Sequence, residues 1–152
     1  MNLKWNNFLS EDKKDDAGIV VCINDNDKIL IIRRGPEDDK AGVWTIPGGH
    51  IDPEDTSVEA GAARELFEEA DISCESSNLK YLGMPKPGKY YFLAKKWTGT
   101  VDVSKPNPKT GVIEHDDYKW ASINDIKDIE DSEIPIYLLE KALEMAKNET
   151  DT

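Results

Sequence analysis

Residues 48–72 constrain this chain more than any other stretch. Gly48 and Gly49 open it, and a helix-forming run from about Ser57 to Ala70 follows. Thr56 and Glu59 have the Thr-x-x-Glu spacing of a capping box, in which two side chains satisfy free N–H groups at a helix start. Glu65, Glu68 and Glu69 fall at i, i+3 and i+4, so their carboxylates share one helix face. Like charges at this spacing each destabilise a helix by roughly 0.2–0.5 kcal/mol. Glu68 and Glu69 also stand in the last turn, where the helix dipole disfavours anions. Arg64 is the sequence neighbour able to offset them. A local rule broken without local compensation marks a site. Three hard oxygen ligands suit Mg²⁺, with Mn²⁺ as a substitute. The competing reading is a solvated acidic face on a surface helix.

Composition narrows the class. One domain is the natural count for 152 residues, and 38% hydrophobic with 33% charged residues describes a globular chain. The net charge of −12 repels long nucleic acid and anionic membranes. It would repel an anionic small substrate too, unless metal ions bridge it. Cys22 and Cys74 are the two cysteines; Cys22 lies in an apolar run and reads as a buried free thiol. No apolar window reaches membrane-span length, and the polar N-terminus does not read as a signal peptide, so a cytoplasmic location is expected.

In chain order, residues 1–16 read as an N-terminal arm with Trp5, Phe8 and Leu9 as isolated apolar groups. Ala17 to Ile23 and Lys28 to Arg34 read as two strands of a hairpin about the turn Asn24–Asp27. Arg33 and Arg34 point to opposite faces. Val43 to Ile46 is a short strand that Pro47 ends, and Gly48 and Gly49 then let the backbone approach a ligand closely. Trp44 reads as core. His50 reads as a solvated loop residue. Asn78 to Met84 and Lys89 to Trp97 are strands about the turn Pro85–Gly88. Alternation sends Tyr90 and Phe92 to one face and Lys89, Tyr91 and Leu93 to the other. Thr98 to Val112 is loop-like, with a short strand over Thr100 to Val103, and is the best place for a lid or a substrate-selecting loop. Tyr118 to Ala121 is a strand, Ser122 to Lys127 a helical turn, and Ile134 to about Lys147 an amphipathic helix. Residues 148–152 fray. The domain is therefore expected over residues 17–147, with strands on both sides of the glutamate helix and a layered α/β/α arrangement.

Residues 48–72 resemble the Nudix box, G-x5-E-x7-R-E-U-x-E-E-x-G-U with U aliphatic. Arg64-Glu65-Leu66-Phe67-Glu68-Glu69 matches its R-E-U-x-E-E core, and Ile72 its final U. The preceding Gly42-Val43-Trp44-Thr45-Ile46-Pro47-Gly48-Gly49 resembles the G-x-W-x-x-P-G-G lead-in of many such boxes. There are two departures. Counting back from Arg64 puts Thr56 where the box has its first Glu, because the segment from Gly49 is one residue longer than usual. Asp55 or Glu54 is expected to take that residue's role, which in the family is to brace the Arg. Asp71 stands for the last Gly, at a position expected to need the left-handed conformation, which Asp tolerates better than most residues.

The resemblance implies an α+β fold, an α/β/α sandwich about a mixed central β-sheet. It implies a metal site made from Glu65, Glu68, Glu69 and the Gly48 carbonyl. Glu114, six positions before Trp120, has the spacing of a further ligand or base in several Nudix hydrolases. Arg64 would orient the glutamates. Glu69 and Glu114 are both candidates for the general base, and His115 is a rival by its ordinary pKa. Arg33, Gly49, Lys89 and Tyr91 are the expected substrate contacts, Arg33 because it aligns with a substrate-contacting arginine of the family.

The function implied is a Mg²⁺-dependent pyrophosphohydrolase acting on a nucleoside diphosphate linked to another group. Nucleoside triphosphates and dinucleoside polyphosphates are favoured over ADP-ribose, nucleotide sugars and RNA 5′ ends. A reading from another class is a sensor module that binds nucleotides without turning them over.

Overall fold

The β-branched runs Ala17–Cys22 and Ile29–Arg34 form strands β1 and β2 and are buried over most of their length. Strands covered on both faces read as continuous apolar runs. The computed structural model describes residues 16–130 and 132–150. Residues 1–15 of the expected arm over residues 1–16, and the last two residues of the expected frayed end, lie outside the described residues.

The hairpin expected from β1 and β2 does not form a ladder. The Asn24 side chain accepts from the backbone N–H groups of Asn26 and Lys28, both at 3.0 Å, and closes the turn as read. One bridge, Ile23 to Ile29, joins the two arms beyond it. The strands then separate into two sheets. β1 lies in a four-stranded mixed sheet of order β4-β1-β6-β5, with β1 parallel to β6, where β4 is Gly48–His50, β5 Lys80–Lys86 and β6 Lys89–Ala94. β2 lies in a three-stranded antiparallel sheet of order β3-β2-β7, with β3 at Trp44–Thr45 and β7 at His115–Ala121.

Among the described residues three α-helices pack on the sheets: α1 Val58–Ala70, α2 Ile123–Lys127 and α3 Ile136–Thr150. Alternate residues of both sheets feed two cores. Val20, Cys22, Leu30, Ile32 and Phe92 pack with Val58, Ala62 and Leu66 of α1. Val21, Ile23, Ile29, Ile31 and Leu93 pack with Leu138, Leu139 and Ala142 of α3. The result is the expected α+β domain, with a mixed sheet layered between helices. Tyr90 and Phe92 face the first core, and Leu93 and Tyr91 the second, as alternation predicts. No helix among the described residues is long and apolar enough to cross a membrane.

Four local expectations change. The glycine pair is not loop but strand: β4 runs antiparallel to β1, with Gly48 opposite Ile19 and Gly49 opposite Gly18. The cap of α1 is Ser57 rather than Thr56; its hydroxyl accepts from Ala60 N–H at 3.0 Å. Glu59, expected to complete a capping box, is buried instead. No strand forms over Thr100 to Val103. β7 starts at His115, three residues before the expected Tyr118. Helix α2 carries a full capping box of its own, from Ser122 and Asp125.

Candidate active site

Helix α1 lies over β1 at contact distance because Gly18 has no side chain. A Cβ built there would stand 2.8 Å from the Cβ of Ala62. This approach sets the acidic face of α1 against β4. A Cβ on Gly49 would run into the Glu65 carboxylate, so the second glycine makes room for a glutamate. The first holds another glutamate through its backbone: Gly48 N–H donates to Glu69 Oε1 at 3.3 Å.

Arg64 is the centre of the cluster. Its Nε donates to Asp55 Oδ1 at 3.0 Å and its Nη2 to Asp55 Oδ2 at 3.1 Å, a two-point grip. Nη1 reaches Glu65 Oε1 at 3.0 Å and both Glu68 oxygens at 3.1 Å. Nη2 also donates to the His50 carbonyl at 3.0 Å and lies 3.4 Å from Asp52 Oδ2. Burial works against the guanidinium charge, but the hydrogen bonds of Asp55 and then Glu68 outweigh it and push the pKa up. Of the two candidates for the missing brace, Asp55 makes these contacts, while Glu54 is exposed. Asp71 sits in the left-handed region at φ 61° and caps α1, as expected from its place in the box.

The glutamates differ in environment. Burial pushes the carboxyl of Glu65 up; Arg64 pulls it down and Glu68 adds to the rise. Glu69 is pushed well above the carboxylate range, first by burial and then by the neighbouring Glu65 charge. His115 is buried, its Nε2 4.0 Å from Glu69 Oε1, and burial lowers its pKa, so the imidazole is neutral at neutral pH. Glu114 is exposed and immediately precedes β7, its Oε1 accepting from Asn107 Nδ2 at 2.9 Å.

The glutamates, Arg64, His115 and Asn107 line one cavity of about 740 Å³. It brings together Gly48, Gly49, Arg64, Glu65, Glu68, Glu69, Glu114, Lys89 and Tyr91. Arg33 is not among its lining residues. Its guanidinium bonds Asp116 at 2.8 Å and lies over the Trp44 ring, on the face of β2 opposite Arg34. Alternation along β2 gives the inner place to Arg34, which bonds Asp38 at 3.3 Å and Glu133 at 3.2 Å. A slightly larger hollow of about 800 Å³, beside Phe67, Cys74 and Trp97, contains none of the three glutamates.

Sequence reasoning passed over Asp52, Asn107, Lys109 and Glu133, which also line the cavity. Asp52 and Lys109 are 57 positions apart, and no local pattern pairs them.

The donor set suits a hard divalent cation. Glu65 and Glu69 are two carboxylates pressed together in a buried place, a repulsion that a cation would relieve. Among the described residues, though, no three acidic, histidine or cysteine side chains converge at ligand spacing. Arg64 draws Glu65 and Glu68 toward itself.

The NUDIX domain model matches residues 12–141. The 8-oxo-dGDP phosphatase of Mus musculus is 33% identical over 91 residues, which are 57% of this chain and 27% of that protein. The asymmetrical bis(5′-nucleosyl)-tetraphosphatase of Caenorhabditis elegans is 33% identical over 98 residues, 58% of this chain and 64% of that one. The chain thus spans less than two thirds of either relative. A structure of a C. elegans Ap4A hydrolase binary complex superposes with a TM-score of 0.62 at 24% identity, covering 88% of this chain and 99% of that one, a likeness of fold.

Proposed function

This chain belongs to the NUDIX domain family, and from that premise we propose that it is a metal-dependent pyrophosphohydrolase acting on the diphosphate linkage of a nucleoside polyphosphate. The observation that carries this reading is the largely buried Glu65–Glu69 pair beside Glu68 and Arg64, seated against a glycine strand in the wall of the cavity. One relative is named for 8-oxo-dGDP, a nucleoside diphosphate, and another for a bis(5′-nucleosyl) tetraphosphate; these names support a phosphorylated nucleoside as substrate, with dinucleoside polyphosphates or nucleoside triphosphates as the favoured classes. The free thiols Cys22 and Cys74 support a cytoplasmic location.

Glu65, Glu68, Glu69, the Gly48 carbonyl and Glu114 are the groups that would hold Mg²⁺. When bound, the ion would neutralise phosphate charge and lower the pKa of the attacking water. The rest is the work of the chain. Displacement at phosphorus requires nucleophile and leaving oxygen in line, so rigid placement of the carboxylates supplies much of the catalysis. Asp55 holds Arg64, and Arg64 holds Glu65 and Glu68 in register. A carboxylate left free of the ion accepts the water's proton. Glu69 and Glu114 are the two candidates, Glu69 buried beside neutral His115 and Glu114 at the mouth. Lys89, Tyr91 and Arg34 line the same cavity and would meet the substrate.

The test is a Mg²⁺-dependent hydrolysis screen over nucleoside triphosphates, dinucleoside polyphosphates, ADP-ribose, nucleotide sugars and triphosphorylated RNA, with products identified. The expected result is release of a nucleoside phosphate, reduced on the order of a hundredfold or more by Glu68→Gln. Turnover of none of these, or an unimpaired Glu68→Gln variant, sinks the reading. Nucleotide binding without turnover would instead make the domain a sensor.

A further inference from the structure

The loop between β6 and β7 holds two side chains whose reach the proposed chemistry leaves unused. Its tip, Asn107–Gly111, is internally braced. The Asn107 side-chain oxygen accepts from the backbone N–H groups of Lys109 at 2.8 Å and Thr110 at 3.2 Å. Gly111 N–H closes the turn on the Asn107 carbonyl at 2.8 Å. From this tip Asn107 reaches Glu114, and Lys109 Nζ lies 2.8 Å from Asp52 Oδ2. That same oxygen is the one 3.4 Å from Arg64 Nη2. The Lys109 ammonium therefore stands one carboxylate away from the guanidinium that holds Glu65 and Glu68.

The Lys109–Asp52 contact is weakly held. The Lys109 side chain is 67% exposed, and ion pairs of that exposure contribute little. Asp52 keeps Arg64 as a partner when Lys109 departs, so no buried charge is stranded. A phosphate chain entering the cavity brings more negative charge than the shared carboxylate offers. The compact, flexible lysine ammonium suits transfer between two such acceptors.

We propose that Lys109 is a phosphate-contacting residue, which leaves Asp52 for a phosphate of the bound nucleoside polyphosphate and carries the braced loop tip over the site. The proposal rests on the nucleotide reading above and assigns a selecting element to it. Asp52 is then the acceptor that parks the lysine when the site is empty.

The experiment is equilibrium binding of the β,γ-methylene analogues of ATP and GTP, in Mg²⁺, to the intact chain and its variants. Lys109→Ala weakens binding about tenfold, the worth of one partly screened charge-assisted hydrogen bond. Lys109→Arg restores most of it, and the difference shrinks as salt is raised. Asp52→Asn, which removes the competing carboxylate, binds more tightly than the unmutated chain. Three results overturn the proposal: unchanged binding by Lys109→Ala, equal weakening by Asp52→Asn and Lys109→Ala, or no analogue bound by the unmutated chain. In the second case the lysine merely pins the loop. Binding of the analogue by a chain that hydrolyses no nucleotide defeats the hydrolase reading and leaves this one standing.

Discussion

Replacing Asp55 by alanine tests whether this residue braces Arg64 in place of the box glutamate. The side chain is 8% exposed and makes two hydrogen bonds to Arg64, at 3.0 and 3.1 Å. It also accepts from Asp52 N–H at 2.8 Å. Breaking a fully buried ion pair costs about 3–5 kcal/mol because a charge is left unpaired. Arg64 is a quarter exposed and keeps Glu65 and Glu68, which cuts the figure to about 2 kcal/mol. In a chain of this length that is a fall of roughly 4–8 °C in Tm. Thermal unfolding by circular dichroism in EDTA at neutral pH reads it, with exposed Glu54→Ala as the comparison. The reasoning fails if Asp55→Ala loses less than about 0.5 kcal/mol, the range of an ordinary surface substitution. It fails equally if Glu54→Ala loses as much.

Three further outcomes are expected. Glu69 has a folded-state pKa raised above 4.5, so its contribution to stability is full below that pH and is lost as pH rises through the folded value. In EDTA, Glu69→Gln should therefore gain steadily on the unmutated chain above pH 4.5 in denaturant melts; parallel curves would contradict the buried-carboxyl reading. Gly49→Ala should keep a near-normal Tm, because the new methyl meets the movable end of Glu65, yet lose at least about tenfold in kcat as that carboxylate is displaced. Gly18→Ala should do the reverse in kind, costing about 1–3 kcal/mol in a urea titration, since its methyl meets the helix itself at Ala62.

Features fixed by short-range chemistry were legible. The three glutamates on one face, the left-handed Asp71 and the turn at Asn24 each depend on a few neighbouring residues. So do the faces of Tyr90 and Phe92. Features that depend on a distant partner were not. Thr56 and Ser57 are equally good caps on paper; choosing Ser57 places Ala60 at the third helical position, where no side chain can complete the box. The hairpin was a fair inference from two apolar runs about a tight turn. Yet both runs are buried on both faces, and their neighbours, β6 and β7, come from far along the chain. Arg33 and Arg34 were known to face opposite ways, but which way was inward depended on Trp44 and Asp116. Asp55 and Glu54 were likewise open until the guanidinium's position chose between them.

The parting of β1 and β2 beyond the Ile23–Ile29 bridge has an architectural consequence. The glutamates and the glycine strand ride on one sheet and its helix, while Arg34, Glu114 and His115 ride on the other. The two jaws of the cavity are joined at the Ile23–Ile29 bridge, and neither isoleucine lines the cavity. A repacking at that bridge would alter the gape of the jaws without changing a single lining residue. The breadth of substrate admitted by the proposed site would thus be adjustable from that bridge, with the lining residues unchanged.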